Sequence, residues 1–258
     1  MIPRFISFFG PDGAGKTTHT HLLVNQIRSR GVKVRKIWIR SPHTLAFLLS
    51  MFFLKIGFYR VSSNSIEISD EIPVANIKLE NRPNRPPWDT RFNKWRDTFS
   101  DNEGNIIVRE RIPAVNITPW LKRFWCVIEV ASVLPLILFH VYFPLLLGYT
   151  LVAERYVIDS IVTIAYFIND FNFLNGLGAR LLLQFIPKDA VFIHLDSDYA
   201  TLIKRRGHNV EVKNFIDFQR AAYEKMEKFV NVISIDTSIL DVRQTSEKIM
   251  QSLEIMNI

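Results

Sequence analysis

Phe5 to Phe9 (F-I-S-F-F) is an uncharged, mostly apolar run that ends at a glycine. Such a run, with no alternation, reads as a strand buried on both faces of a parallel sheet. From Thr17 to Arg30 the apolar positions Leu22, Leu23 and Ile27 fall at helical spacing, and Gly31 stops the pattern. Val32 to Ile39 alternates, with a break at Lys36, and reads as the second strand. Thr44 to Tyr59 is apolar and predicts a helix. Across 60–119 apolar density drops, prolines gather at 83, 86 and 87, and D-N-E-G-N (Asp101 to Asn105) marks a turn before a strand-like Ile106 to Arg111. This region is expected to be an insertion with one or two small hairpins. Trp120 to Leu147 is long and apolar. Strands are predicted at Tyr149 to Ala153, Ala190 to Leu195 and Val230 to Ile235. Helices are predicted at about 157–170, 177–186, 214–229 and 240–255. Strands alternating with helices imply an α/β fold of three layers around a parallel sheet, built from 1–59 and 120–258.

The bulk composition narrows this picture only in places. A chain of 258 residues can bury one sizeable core plus a small insertion. Its hydrophobic content of 48% argues against disorder. Lys and Arg outnumber Asp and Glu by 32 − 25 = 7, and the pI is about 9.5. That balance suits a protein handling phosphates, nucleic acid or an anionic membrane surface, and does not choose among them. The single cysteine, Cys126, excludes an internal disulfide and a cysteine metal cluster, and is expected to be a buried core thiol. A reducing, cytoplasmic setting fits it. The N-terminal run lacks the pattern of a signal peptide.

Gly10 to Thr17 (G-P-D-G-A-G-K-T) fits G-x-x-x-x-G-K-[ST], the cradle for nucleotide phosphates. Gly10, Gly13, Ala14 and Gly15 let backbone N–H groups point inward, and the following helix, with Thr18 in its first turn, adds its positive end. Lys16 is expected to bridge the terminal phosphates of ATP, and the Thr17 hydroxyl to ligate Mg²⁺. Asp12, inside the loop, faces the acceptor side. His19 and His21 are two residues apart, share no helix face, and are expected to be packed or solvated.

Four stretches together resemble the thymidylate kinases, within the nucleoside monophosphate kinase group of P-loop proteins. They are G-P-D-G-A-G-K-T-T, L-L-L-G-Y-T-L-V-A-E-R-Y (Leu145 to Tyr156), P-K-D-A-V-F-I-H-L-D-S-D-Y-A-T-L-I-K-R-R-G (Pro187 to Gly207) and V-I-S-I-D-T-S (Val232 to Ser238). The resemblance covers about three quarters of the chain and implies a five-stranded parallel sheet flanked by helices. It also implies that Glu154 helps hold Mg²⁺, Arg155 touches the phosphoryl groups, Arg205 and Arg206 close over ATP with a lid at 204–213, and Thr237 lies beside the adenine. Asp12, Lys16, Glu154, Arg155 and Arg205 form the expected catalytic set.

The departures fall on the acceptor side. The family's F-P-x-R element, whose arginine grips the acceptor phosphate, corresponds to R-S-P-H-T (Arg40 to Thr44), which keeps only Pro42. Ala131 to Leu136 offers no arginine for the base. Asp159 and Ser160 stand where a serine is expected, one position off. A bidentate arginine on a phosphate contributes about 1.5–3 kcal/mol, so these losses bear on substrate identity. The acceptor set expected by resemblance is Arg40, Pro42, Tyr156 and Asp159. The insertion interleaves Arg82, Arg85, Arg91, Lys94 and Arg96 with Trp88, Phe92 and Trp95, a pattern that suits a base, a sugar or a single strand, and equally a solvated loop with aromatic anchors.

Three readings of function therefore stand. The first is an ATP-dependent kinase of dTMP or another nucleoside monophosphate, homodimeric by resemblance and not expected to bind nucleic acid. The second is a kinase of a small non-nucleotide acceptor, a sugar or lipid-linked metabolite near a membrane. The third is a nucleotide-binding regulatory or nucleic-acid-associated protein without transfer activity. Val127 to Leu147 is long enough to span a bilayer, but Glu129, His140, Pro135 and Pro144 interrupt it. It is expected to be a core helix, with a dimer face or peripheral membrane contact accounting for its excess apolarity.

Overall fold

A computed structural model of the chain describes residues 3–39, 99–100, 106–107, 119–207, 210–211 and 213–255. Its centre is a five-stranded, all-parallel sheet. The strands are β1 (Phe5–Phe9), β2 (Val34–Ile37), β5 (Thr150–Ala153), β6 (Ala190–Asp196) and β7 (Val232–Asp236), in the order β2-β5-β1-β6-β7. β1 is therefore central, and the strand order reverses beside it, which opens a crevice at the carboxyl ends of the strands. Two short strands, β3 (Phe99–Ser100) and β4 (Ile106–Ile107), pair antiparallel; the D-N-E-G-N stretch lies outside the described residues.

The residues of β1 split between two cores. Ile6 and Phe8 face α1 (Lys16–Ser29) and the C-terminal helix, joining Leu23, Ile27, Ile249 and Leu253. Phe5 and Phe9 face the opposite layer, with Tyr156, Ile161, Val133 and Tyr223. That double burial is why β1 reads as a continuous apolar run. The second layer contains α2 (Pro119–Ile137), a π-turn at Leu138–Tyr142, α3 (Phe143–Leu146), α4 (Val157–Phe167) and α5 (Leu177–Leu183). It is completed by α7 (Lys213–Glu227), reached through α6 (Tyr199–Arg206); α8 (Val242–Ile255) lies on the α1 side. This is the three-layer α/β architecture of P-loop NTPases.

Two expectations for the long apolar segment need correction. Cys126 is half-buried, not fully enclosed; burial still pushes its thiol up to about 11, so it is no nucleophile at neutral pH. His140, expected to be a satisfied core or interface histidine, lies exposed on the outer face of the π-turn and outside the core, its Nδ1 3.2 Å from the Leu136 carbonyl. The reason is rotational. The helix presents only one stripe to the core, through Val133, Ile137 and Val141, and the extra residue of a π-turn swings His140 off that stripe. Arg40, Pro42, the predicted helix at 44–59 and the basic, aromatic stretch 82–96 lie outside the described residues.

Candidate active site

The P-loop leaves β1 at Gly10 and enters α1 at Lys16. Two of its glycines are required by their surroundings. Gly10 has φ +135°, and a Cβ there would sit 2.0 Å from the Leu195 carbonyl oxygen on β6. Gly13 has φ +102°, and a Cβ would sit 2.9 Å from Cδ of Arg206. The loop is thus wedged between a neighbouring strand and the end of α6, which fixes its curvature. Lys16 turns back into the ring and donates to the Gly10 and Pro11 carbonyls at 2.7 Å each. Thr17 and Thr18 stand exposed at the head of α1.

Asp12 gathers cations. Arg155, 143 residues away in sequence, donates to its carboxylate. The Lys16 ammonium lies 3.8 Å from one carboxylate oxygen and the Arg206 guanidinium 3.8 Å from the other. Arg155 also donates to Asp159 one helical turn further on, and the Tyr223 hydroxyl donates to the same Asp159 oxygen at 3.1 Å. Arg155, Asp12 and Asp159 are all buried. The other Asp159 oxygen and the Ser160 hydroxyl are buried without a hydrogen-bond partner. On the α1 side, the Thr17 hydroxyl donates to one oxygen of Glu154, and Lys36 lies 2.5 Å from the other. His21, its pKa lowered by burial and then by Lys36, stands 3.1 Å from the Lys36 ammonium, and as the neutral imidazole accepts from it.

Arg205 and Arg206 diverge. Arg206 reaches toward Asp12. Arg205 donates to the Thr237 hydroxyl at 2.9 Å and to the Thr237 carbonyl, near the Gly13 carbonyl at 3.5 Å. Thr237 is itself tied to the end of β6, its hydroxyl donating to the Asp196 carbonyl at 2.9 Å. Arg220 on α7 braces the same strand end through Asp196 and Ser197. His19 packs beneath Gly15, buried, and its pKa is lowered by that burial and then by Arg205.

Gly10, Gly13, Ala14, Gly15, Lys16, Thr17 and Thr18 thus form the loop and the head of α1, with Arg205, Arg206 and Thr237 against the loop and Glu154, Arg155 and Asp159 joined to it through Thr17 and Asp12. Tyr156 does not join them. Its ring packs on Phe5 at 4.8 Å, its hydroxyl donates to the Phe185 carbonyl at 2.6 Å, and burial raises its pKa. A large apolar ring at the start of α4 is better placed in the core than in a charged cleft, so it leaves the acceptor set. Lys36, Tyr223 and the second contact of Asp159 were not anticipated. The one sequence signal was the break in β2 alternation at Lys36.

A nucleotide and its metal fit these residues. The loop curvature and the Lys16 cation suit phosphate oxygens. Thr17 and Glu154 offer two hard oxygen donors side by side, and among the described residues no cluster of three or more His, Cys, Asp or Glu makes an all-protein metal cage. Mg²⁺ takes few protein ligands and completes its shell with phosphate and water. The pocket between α1 and α8, lined by Gln26, Arg30, Glu247 and Glu254, lies toward the far end of α1 and has no such set.

The fold has a solved counterpart. A thymidylate kinase from Candida albicans superposes with a TM-score of 0.57 over 99% of this chain and 93% of that one, at 14% identity. At that identity the likeness defines the fold, that of a nucleotide-kinase-like P-loop protein. No family-level sequence profile and no curated protein matches the chain by sequence.

Proposed function

We propose that this protein is an ATP- and Mg²⁺-dependent phosphotransferase of the nucleoside monophosphate kinase type, acting on dTMP or another nucleoside monophosphate. The observation that carries the reading is the convergence of Lys16, Arg155 and Arg206 on Asp12 at the mouth of the P-loop. Phosphoryl transfer is catalysed mainly by alignment and by positive charge around the transferring group, and three cations meet there. Lys16 and the loop amides hold the donor phosphates. Arg155, kept in one orientation by Asp12 and Asp159, bridges donor and acceptor. Arg205 latches the lid to Thr237, and Arg206 closes over Asp12 and helps exclude water. Thr17 and Glu154 would hold Mg²⁺, which supplies charge neutralisation on the phosphates.

One observation favours a second reading, a small acceptor bearing a hydroxyl and no phosphate. Asp159 and Ser160 stand one position off from where the family carries a serine, and the buried second oxygen of Asp159 lacks a donor. A carboxylate there repels an acceptor dianion and welcomes a hydroxyl proton.

Purified protein with Mg·ATP and a panel of nucleoside monophosphates, nucleosides and sugars separates the two, with acceptor-dependent ADP release as readout. Turnover with a monophosphate and none with its nucleoside is the expected result. Turnover with hydroxyl acceptors alone supports the second reading. ATP binding without any turnover removes both. Lys16→Ala is expected to lower turnover by about 10²–10³ and to abolish stabilisation by ATP in a thermal melt.

A further inference from the structure

The helix formed by α2, the π-turn and α3 has its polarity reversed. Within Arg123–Leu146 an 18-residue window reaches a mean hydropathy of 2.1, yet only 39% of it is buried. A surface helix ordinarily turns apolar residues inward and charge outward. Here the one acid, Glu129, is buried with Ser132, while Val127, Phe139, Phe143 and Leu146 face out, Phe139 at 70% and Leu146 at 84% exposure. The neighbouring α5 exposes Leu177 at 85% and carries an exposed Arg180. Patches of this kind mark a docking surface.

The occupant is indicated by charge and anchoring. Val133, Ile137 and Val141 are wholly buried against the second core, so this helix cannot leave the domain to cross a bilayer. It can lie along one. Its two ends are cationic. Arg123 is exposed at the start, and Arg4 donates to the Leu145 carbonyl at the end. Between them the outer face carries no acid. A two-fold pairing of this face with a second copy would bring Arg123 to Arg123 or to Arg4, cation against cation. An anionic lipid surface complements both the apolar stripe and its ends, in a protein with a net charge of +7.

We propose that the outer face of α2–α3 seats in the interface of an anionic bilayer, helix axis in the membrane plane, with Arg123 and Arg4 at the headgroups. This inference stands whatever the acceptor proves to be.

The test is flotation of the full chain with vesicles of phosphatidylcholine alone or mixed with phosphatidylglycerol. The wild type is expected to float with the anionic vesicles, less so as salt rises. Phe139→Ser with Leu146→Ser should reduce that binding at least tenfold while leaving ATP-dependent thermal stabilisation unchanged, which shows an intact fold. Arg123→Gln, on a solvated side chain, is the second probe and should weaken anionic binding about fivefold. Wild-type protein that stays unbound to every vesicle overturns the proposal. So does a lipid-independent dimer in sedimentation that the Phe139→Ser, Leu146→Ser change dissociates without affecting flotation.

Discussion

In the proposed site, eight contiguous residues from Gly10 to Thr17 would form the donor side, with their curvature, the Lys16 ammonium and a Thr17 hydroxyl that would face the metal. The proposed acceptor side draws on Asp12 in that same loop and on Arg155, Asp159 and Tyr223 from two further segments, with 143 residues between Asp12 and Arg155. The donor side is a backbone device whose parts are set by local conformation. The acceptor side is a buried charge cluster, whose members hold each other's geometry and cost stability if one is removed. If the proposed function holds, recognition of ATP and the integrity of the domain should be separable, whereas recognition of the acceptor and integrity of the domain should not.

The largest expected effect tests that contrast directly. Arg155→Met leaves the buried Asp159 carboxylate without its cation and removes one of the three around Asp12, which costs about 3–5 kcal/mol and lowers the melting temperature by roughly 10 °C. Turnover is lost as well. Adding Asp159→Leu should recover part of the stability and none of the activity. A melting temperature unmoved by Arg155→Met would break the contrast, because the cluster would then be catalytic without being structural.

A smaller effect is expected on the donor side. Gly13→Ala puts a Cβ at φ +102° and 2.9 Å from Arg206, a strain of about 1–2 kcal/mol. ATP should bind about tenfold more weakly, as isothermal titration would show. Acceptor binding, measured without ATP, should hold. Equal weakening of both would mean that Arg206 couples the two sides.

The smallest effect concerns the layer beneath both. His194 stacks on Phe9 at 4.6 Å, and its Nδ1 meets Glu227 at 2.6 Å; Ser234 donates to the same carboxylate at 2.7 Å. The bond to His194, and then that to Ser234, holds the Glu227 pKa below its ordinary value. A depressed carboxylate stabilises the fold above its unfolded pKa, and that contribution is lost as pH falls through the folded value. Glu227→Gln should therefore show a lower urea midpoint than wild type at neutral pH. The gap should close on acidification, with ATP affinity unchanged. A gap that persists in acid would assign Glu227 a packing role.

How far the sequence could be read follows the same division. The P-loop, the five parallel strands and the short hairpin follow from local rules: glycines where φ is positive, apolar runs where both strand faces are buried, turn residues between strand-like segments. Glu154 and Arg155 were legible because charge follows an apolar strand directly. Tyr156 was misplaced because the step from strand to helix turns successive side chains to different layers, and only the helix start decides which. Lys36 was visible as a break in alternation, but its partner Glu154 lies on the neighbouring strand, brought near by the parallel β2–β5 register of Lys36 with Val152.

By itself the sequence determined that a phosphate cradle follows the first strand of a parallel α/β domain, since both depend on conformations that a few adjacent residues impose. Only the tertiary structure decided that Arg155 is held between Asp12 and Asp159, that Arg205 turns to Thr237 while Arg206 turns to Asp12, and that the long apolar helix turns its acid inward and Phe139 and Phe143 outward. Those outcomes depend on which distant side chains share a buried volume and on the rotation of a helix against its core, and neither is written in local spacing.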